Sequence, residues 1–218
     1  MTEAVIVARR GPARLLLAVG SCAASTAAAF EFADRPLAIF AHRHLHGAAI
    51  FPALTHIPEV LAGLAALILI AFALSRARRR LWGPLGMVLL RCSVSLAAAL
   101  MVKDELKYVF GRTWPETWVN NNPSFIGNGT FGFFPLHGGQ GWASFPSGHT
   151  TTICAIAAVL WVHWPRFRWL YAAVTALVAI GLLGADYHWL SDIIAGGYLG
   201  AASGAVAASA GMGQAARR

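Results

Sequence analysis

Three short runs carry residue types that suit the handling of a phosphate group. The run Ala143-Ser144-Phe145-Pro146-Ser147-Gly148-His149-Thr150 sets a proline, a small hydroxyl, a glycine and a histidine directly ahead of an apolar stretch. Free N–H groups and the dipole at a helix N-terminus favour negative charge, and a glycine there lets a ligand approach the backbone closely. Ser147 and Gly148 are therefore candidates to cradle an anion, the plainer alternative being a serine N-cap and nothing more. The second run, His188-Trp189-Leu190-Ser191-Asp192, places an imidazole four residues before a carboxylate, on one helical face. A carboxylate that accepts a hydrogen bond from one ring nitrogen leaves the other free to attack. An aspartate in the opening turn of an apolar helix is also costly unless it has a function. Asp186, on the same turn, is a weaker candidate. The third run holds the chain's two lysines, Lys103 and Lys107, again four apart, with Arg112 following in Gly111-Arg112-Thr113-Trp114-Pro115. Snorkelling of the lysines to a membrane interface is the alternative reading.

The elements that must position these groups are membrane helices. Of 218 residues, 57% are hydrophobic and only 12% charged, which excludes an ordinary soluble domain. Apolar runs near 14–31, 57–75, 84–106, 149–164, 168–186 and 190–211 approach the roughly 20 residues needed to cross a bilayer, and lipid leaves no partner for an open backbone. The expectation is an all-α, polytopic membrane helical bundle of about six transmembrane helices, forming a single integral membrane domain over 1–218. No linker or internal repeat divides it.

The formal net charge of +8 reports topology. Arg9, Arg10 and Arg14 precede the first span; Arg76, Arg78, Arg79 and Arg80 follow the second. Arg166 and Arg168 lie between the fourth and fifth, and Arg217 and Arg218 end the sequence. If six helices alternate, all fall on one side, the cytoplasmic one by the positive-inside rule. Lys103, Lys107, Arg112, the loop 111–148, His149, His188 and Asp192 then lie on the other. The sequence thus predicts an integral protein of a bacterial inner (plasma) membrane, with both termini cytoplasmic and the site periplasmic or extracellular. No nucleic-acid partner is expected, because no exposed basic face carries base-reading residues. A cleaved signal peptide is the alternative for the N-terminus, but the apolar run continues past any small-residue cleavage point and favours a retained helix.

Other features read as structural. Cys22, Cys92 and Cys154 fall within spans as small buried hydrophobes. His42, His44 and His46 have no cysteine or carboxylate at ligand spacing beside them and suggest an interfacial segment rather than a metal site. Gly196, Gly200 and Gly204 repeat every four residues, a pattern for close helix packing. The loop between Arg112 and Ala143, with Trp114, Trp118, Asn120, Phe125, Phe131, Phe133, Phe134 and His137, suits a lid or a headgroup anchor.

At these residues the chain resembles the type 2 phosphatidic acid phosphatase family, membrane relatives of the vanadium haloperoxidases. That family carries Lys-x6-Arg-Pro, Pro-Ser-Gly-His and Ser-Arg-x5-His-x3-Asp, in that order. Pro146-Ser147-Gly148-His149 matches the second motif in full, and His188 with Asp192 matches the catalytic half of the third, over a core of about 84–211. The resemblance implies that His188 attacks phosphorus to form a phosphohistidine while Asp192 orients it. His149 would protonate the leaving group and then activate water. Ser147 and Gly148 would hold phosphate oxygens, helped by Lys103, Lys107 and Arg112, with no cofactor and no metal. The chain departs from the pattern twice. Trp114 stands where the first motif has arginine, and Gly181-Leu182 stand where the third has serine and arginine. Arg112 is near enough to replace the first arginine; nothing nearby replaces the second. Each lost charge-assisted contact costs about 1.5–3 kcal/mol, or one to two decades in rate. The implied activity is a metal-independent membrane lipid phosphatase acting on a lipid phosphate monoester or pyrophosphate. A lipid phosphotransferase, or a catalytically impaired lipid-phosphate binder, are the alternatives.

Overall fold

The computed structural model describes residues 3–79, 81–118 and 121–210, and the side chains of 3–12 and 14 are outside that description. Arg80, Asn120, Arg217, Arg218 and the far end of the last expected span therefore lie outside the described residues, as do the side chains of Arg9, Arg10 and Arg14. Eight α-helices make up the described fold: α1 (Glu3–Phe32), α2 (Asp34–His44), α3 (Ile50–Ala77), α4 (Pro84–Phe110), α5 (Phe125–Asn128), α6 (Gly148–His163), α7 (Arg168–Gly184) and α8 (Leu190–Ser209). The protein is an all-α membrane helical bundle. Its outward faces are apolar: Leu15, Leu17, Leu67, Leu74 and Trp169 are all more than half exposed, a surface stable against lipid and not against water.

Five helices, α1, α3, α4, α7 and α8, are long and apolar enough to cross a bilayer. The sixth expected span is α6, which has only 16 residues. At 1.5 Å per residue it is about 24 Å long, short of the roughly 30 Å hydrocarbon core. The segment ahead of it, Ser144–Ser147, is buried in protein, the one circumstance in which irregular backbone is tolerated at membrane depth. The short helix thus sets its N-terminus, and Gly148 and His149 with it, below the rim of the bundle.

Proline placement explains where two helices begin. Pro84 opens α4, and Pro36 sits in the first turn of α2, where a missing N–H costs nothing. Helix α3 starts seven residues before the expected 57 and runs through Pro58, with Thr55 Oγ1 donating to the Pro52 carbonyl at 2.7 Å.

α6 packs most closely on α8 and next on α4; α3 pairs with α7, and α1 lies along α8. The α6–α8 approach depends on the glycine stripe. A Cβ at Gly196 would lie 2.4 Å from the Ser147 carbonyl, at Gly200 2.3 Å from the Thr151 carbonyl, and at Gly204 2.5 Å from the Ala155 carbonyl. Ile153, Val178, Leu182 and Ile193 join α6, α7 and α8 in the apolar core. At the opposite end, Arg91 donates to His163 Nε2 at 2.7 Å and to the Ala210 carbonyl at 3.0 Å, neutralising the C-terminal ends of α6 and α8.

Gly200→Ala is expected to cost about 1–3 kcal/mol through overpacking against α6. Gly63→Ala, where the added methyl would meet nothing within 4 Å, should be neutral or gain up to about 1 kcal/mol. Unfolding midpoints in detergent compare the two; equal stability would mean that α6 and α8 are not packed this closely.

Candidate active site

The α7–α8 turn and the N-terminus of α6 meet because the Ser147 N–H donates to the Asp192 main-chain carbonyl at 3.1 Å. That bond brings the two histidines together, ring centroids 6.0 Å apart and planes inclined at 69°. Both line a cavity of about 310 Å³ with Lys103, Lys107, Trp114 and Gly148; Pro58, Ala62 and Leu100 form its apolar side. A larger groove of about 580 Å³ between α6, α7 and α8 is walled mainly by alanines, with Trp161, Val162, Cys154, Tyr171 and Thr175, and has no histidine or charged side chain in its lining.

His188 is 4% exposed, and its Nδ1 lies 3.2 Å from Asp192 Oδ2. An ionised aspartate only accepts, so Nδ1 carries the proton and Nε2 keeps its lone pair. Burial holds this imidazole below its usual pKa, against the opposing pull of Asp192. The ring is accordingly neutral near pH 7, the form a nucleophile requires. His149, across the cavity, has Glu59 at its rim side, Nε2 to Oε1 3.8 Å.

Asp192 is wholly buried and heavily engaged. Besides His188, its Oδ2 accepts from the Ser144 hydroxyl and from the Trp189 N–H at 3.2 Å. Its Oδ1 accepts from Arg112 at 2.5 Å. The same guanidinium donates to Ser191 Oγ and, through its other terminal nitrogen, to Asp34 Oδ2 at 2.6 Å. Asp34 in turn accepts from the Ser191 N–H at 3.0 Å and from its hydroxyl at 2.5 Å. Phe30, Phe133 and Trp189 surround the guanidinium carbon, with centroids 5.1, 4.7 and 5.3 Å away.

The expected site residues divide on this evidence of placement. His149, His188, Lys103, Lys107 and Gly148 line one cavity. Lys107 also donates to the Ala143 carbonyl and lies 5.5 Å from the Trp114 ring, while Lys103 pairs with Asp104 at 2.6 Å. Arg112, expected to bind phosphate, is 0% exposed, engaged by two carboxylates and a serine, and is not among the residues that line the cavity. Ser147 also does not line the cavity: it is buried as the N-cap of α6, accepting from the Thr150 N–H at 3.4 Å. Asp186 does not line the cavity either; burial and the nearby Glu116 push it up to about 7.

Residues 88–213 match the family model described as PAP2 superfamily. The chain belongs to this superfamily. Among curated proteins, a lipid A 1-phosphatase of Rhizobium johnstonii is 33% identical over 101 residues, covering 46% of this chain and 38% of that protein. A lipid A 1-phosphatase of Rhizobium etli is 32% identical over 96 residues, 44% of this chain and 38% of the relative. An undecaprenyl-diphosphatase of Sulfolobus acidocaldarius is 28% identical over 108 residues, 49% and 47% respectively. The matched stretch thus spans less than half the length of each relative. No solved structure matches the chain.

The two departures of this PAP2 chain have different structural consequences. Trp114 lines the cavity, its ring 5.1 Å from that of His188. Leu182 is 0% exposed inside the apolar core cluster, and a Cβ on Gly181 would come within 2.7 Å of Leu54 Cβ. Sequence reasoning missed Asp34, Glu59, Ser144 and Ser191. Both serines lie inside the quoted runs, next to residues that were singled out. Asp34 is separated from Arg112 by 78 positions and had only its charge beside an apolar span to mark it.

Arg112→Gln and Asp34→Asn are each expected to lose about 3–5 kcal/mol, because one member of a buried ion pair is left uncompensated. Turnover should fall with KM little changed, since neither side chain reaches the cavity. Denaturant midpoints and steady-state kinetics read both, and a raised KM at intact stability would make Arg112 a substrate ligand.

Proposed function

We propose that the protein hydrolyses a lipid phosphate monoester or diphosphate through a phosphohistidine on His188. The observation that carries this reading is the pair of imidazoles 6.0 Å apart across one cavity, one of them held neutral with its Nε2 unengaged. Reacting atoms start about 3–3.5 Å apart, so a single phosphoryl group between the rings meets both. His188 Nε2 attacks phosphorus; the bond to the lipid oxygen breaks, and His149 gives that oxygen a proton. Water then attacks the phosphohistidine as His149 takes its proton, releasing inorganic phosphate and restoring neutral His188. Lys103, Lys107 and the Gly148 backbone N–H stabilise the phosphoryl oxygens. The wall of Pro58, Ala62 and Leu100 suits the first methylenes of a lipid chain.

Arg112 is a positioning residue in this mechanism, acting on His188 through Asp192. Ser147 positions as well, tying α6 to α8. The working unit is wider than the expected core 84–211 and falls within one domain over 1–218, since Asp34 and Glu59 both reach the site. The substrate classes supported by the relatives are a glycolipid 1-phosphate, as in lipid A, and a polyprenyl diphosphate. We place the site on the extracytoplasmic face of the membrane. α6 runs from His149 at one end to Arg166 just past the other, and Arg76, Arg78 and Arg79 follow α3 at that second end.

Purified protein in detergent, given lipid A 1-phosphate, undecaprenyl diphosphate and phosphatidic acid without added metal, is expected to release inorganic phosphate from at least one. His188→Ala should fall at least about 10³-fold, and His149→Ala about 10²–10⁴-fold. Acid-labile ³²P on the wild type, absent from His188→Ala, marks the intermediate. Release from none of the three lipids, or a His188→Ala variant as active as wild type, sinks this reading.

A further inference from the structure

Beyond the cavity, on the far side of Trp114 and Trp118, lies a second cluster of chemically active side chains. His42 is in the last turn of α2 and His46 just past its end; Glu116 comes from the outer loop and Asp186 from the α7–α8 turn. Their ligand atoms all lie within 4.8 Å of one another. None of the four lines the His149–His188 cavity. The histidines are spaced i, i+4, so both rings leave the same side of the chain, their centroids 5.0 Å apart. No carboxylate stands near them in sequence, but folding delivers two.

The way these groups face one another suits a cation between them. His42 Nδ1 and Glu116 Oε2 are 2.8 Å apart, yet neither atom is angled for a hydrogen bond and neither has another partner. Asp186 is 1% exposed, with both carboxylate oxygens lacking a hydrogen-bond partner among the described residues. It is held there at φ +55°, a conformation that costs a non-glycine residue free energy. Among the described residues, neither Glu116 nor Asp186 is paired with a lysine or arginine. With Asp186 buried and Glu116 partly buried, two carboxylates lie close together, an arrangement that a cation held between them stabilises.

We propose that His42, His46, Glu116 and Asp186 form a structural site for a divalent transition ion of the zinc class. Two imidazole nitrogens and two carboxylate oxygens suit such an ion, and four protein ligands fill a tetrahedral shell, leaving no open position for chemistry. Metal–ligand bonds of about 2.0–2.1 Å set tetrahedral ligands roughly 3.4 Å apart. His46 is exposed and His42 half-buried, so neither ring is locked by packing and both have room to close to that spacing. The ion would join α2, the outer loop and the α7–α8 turn at a point remote from the Asp34–Arg112 pair. Trp118, two residues past Glu116, stacks on Tyr187, one past Asp186, at 4.3 Å and 6°. His188 follows directly. The site therefore clips the outer loop and α2 to the turn that carries His188, and it does not touch the phosphoryl group.

The test uses the full chain in detergent, dialysed against a chelator and then titrated with zinc chloride. Bound metal is measured by mass spectrometry and the unfolding midpoint is recorded with and without zinc. Expected are one zinc per chain in wild type, a higher midpoint with zinc, and loss of both in the His42→Ala/His46→Ala double variant and in Asp186→Asn. His44→Ala, two positions from each of the two histidines and not part of the cluster, should bind as wild type does. A wild-type chain that retains no zinc, or a His42→Ala/His46→Ala variant that still holds one equivalent, overturns the proposal. Because these readouts involve no lipid and no turnover, they are independent of whether the protein is a phosphatase.

Discussion

A single buried carboxylate organises the site. Asp192 is removed from water at the first turn of a membrane helix, where an isolated charge would be prohibitively costly. Four donors offset that cost: the Arg112 guanidinium, the Ser144 hydroxyl, the Trp189 N–H and the His188 ring. They come from three local structures, so the carboxylate is satisfied only when the α4 exit, the stretch of loop before α6 and the α7–α8 turn are all in place. The free lone pair on His188 follows from that arrangement. With the proton pinned on Nδ1, Nε2 has nowhere to face but the cavity. Asp34 plays the matching role one layer back, holding Arg112 and Ser191 so that the guanidinium cannot swing toward substrate.

The second requirement is close approach of α6 and α8, and it is met by absence of side chains. Gly196, Gly200 and Gly204 let carbonyls of α6 lie where a methyl group would sit. Without hydrophobic force between helices in lipid, van der Waals contact at this range is what holds such a pair together. The outcome is felt at the outer end, where the Ser147 N–H reaches the Asp192 carbonyl and His149 comes opposite His188. Packing along the membrane and chemistry at its edge are thus coupled through one helix pair.

What could be read from the sequence was whatever repeats locally. The apolar runs marked the spanning helices, the i, i+4 spacings marked His188 with Asp192 and Lys103 with Lys107, and the Gly-x3-Gly pattern marked a packing face. Helix ends were less legible: the third span was expected to end near 106, whereas α4 continues to Phe110. Long-range pairing was invisible. Arg112 has the same local signature whether it grips a phosphate or an aspartate 78 residues away, and only the fold distinguishes them. The same holds for His42 and His46, whose carboxylate neighbours are 70 and 140 residues further along the chain.

The two lost arginines of the family pattern show how the fold absorbs a change of charge. Position 182 lies in the apolar core between α6, α7 and α8, where leucine packs at no electrostatic cost and a guanidinium would need a partner that the cluster does not contain. Position 114 faces the cavity, and there an indole has taken the place of a cation. Its π face lies 5.5 Å from Lys107 Nζ, an attraction worth about 0.5–2 kcal/mol. The indole thus helps fix the position of a positive charge that it does not itself carry. Among the described residues, the lysine and arginine side chains lining the cavity are Lys103 and Lys107. An ammonium is a point charge with rotatable donors, not a rigid fork. On the proposed function, recognition of a phosphoryl group would depend less on bidentate geometry and more on the Gly148 backbone and on apolar contact with Pro58, Ala62 and Leu100.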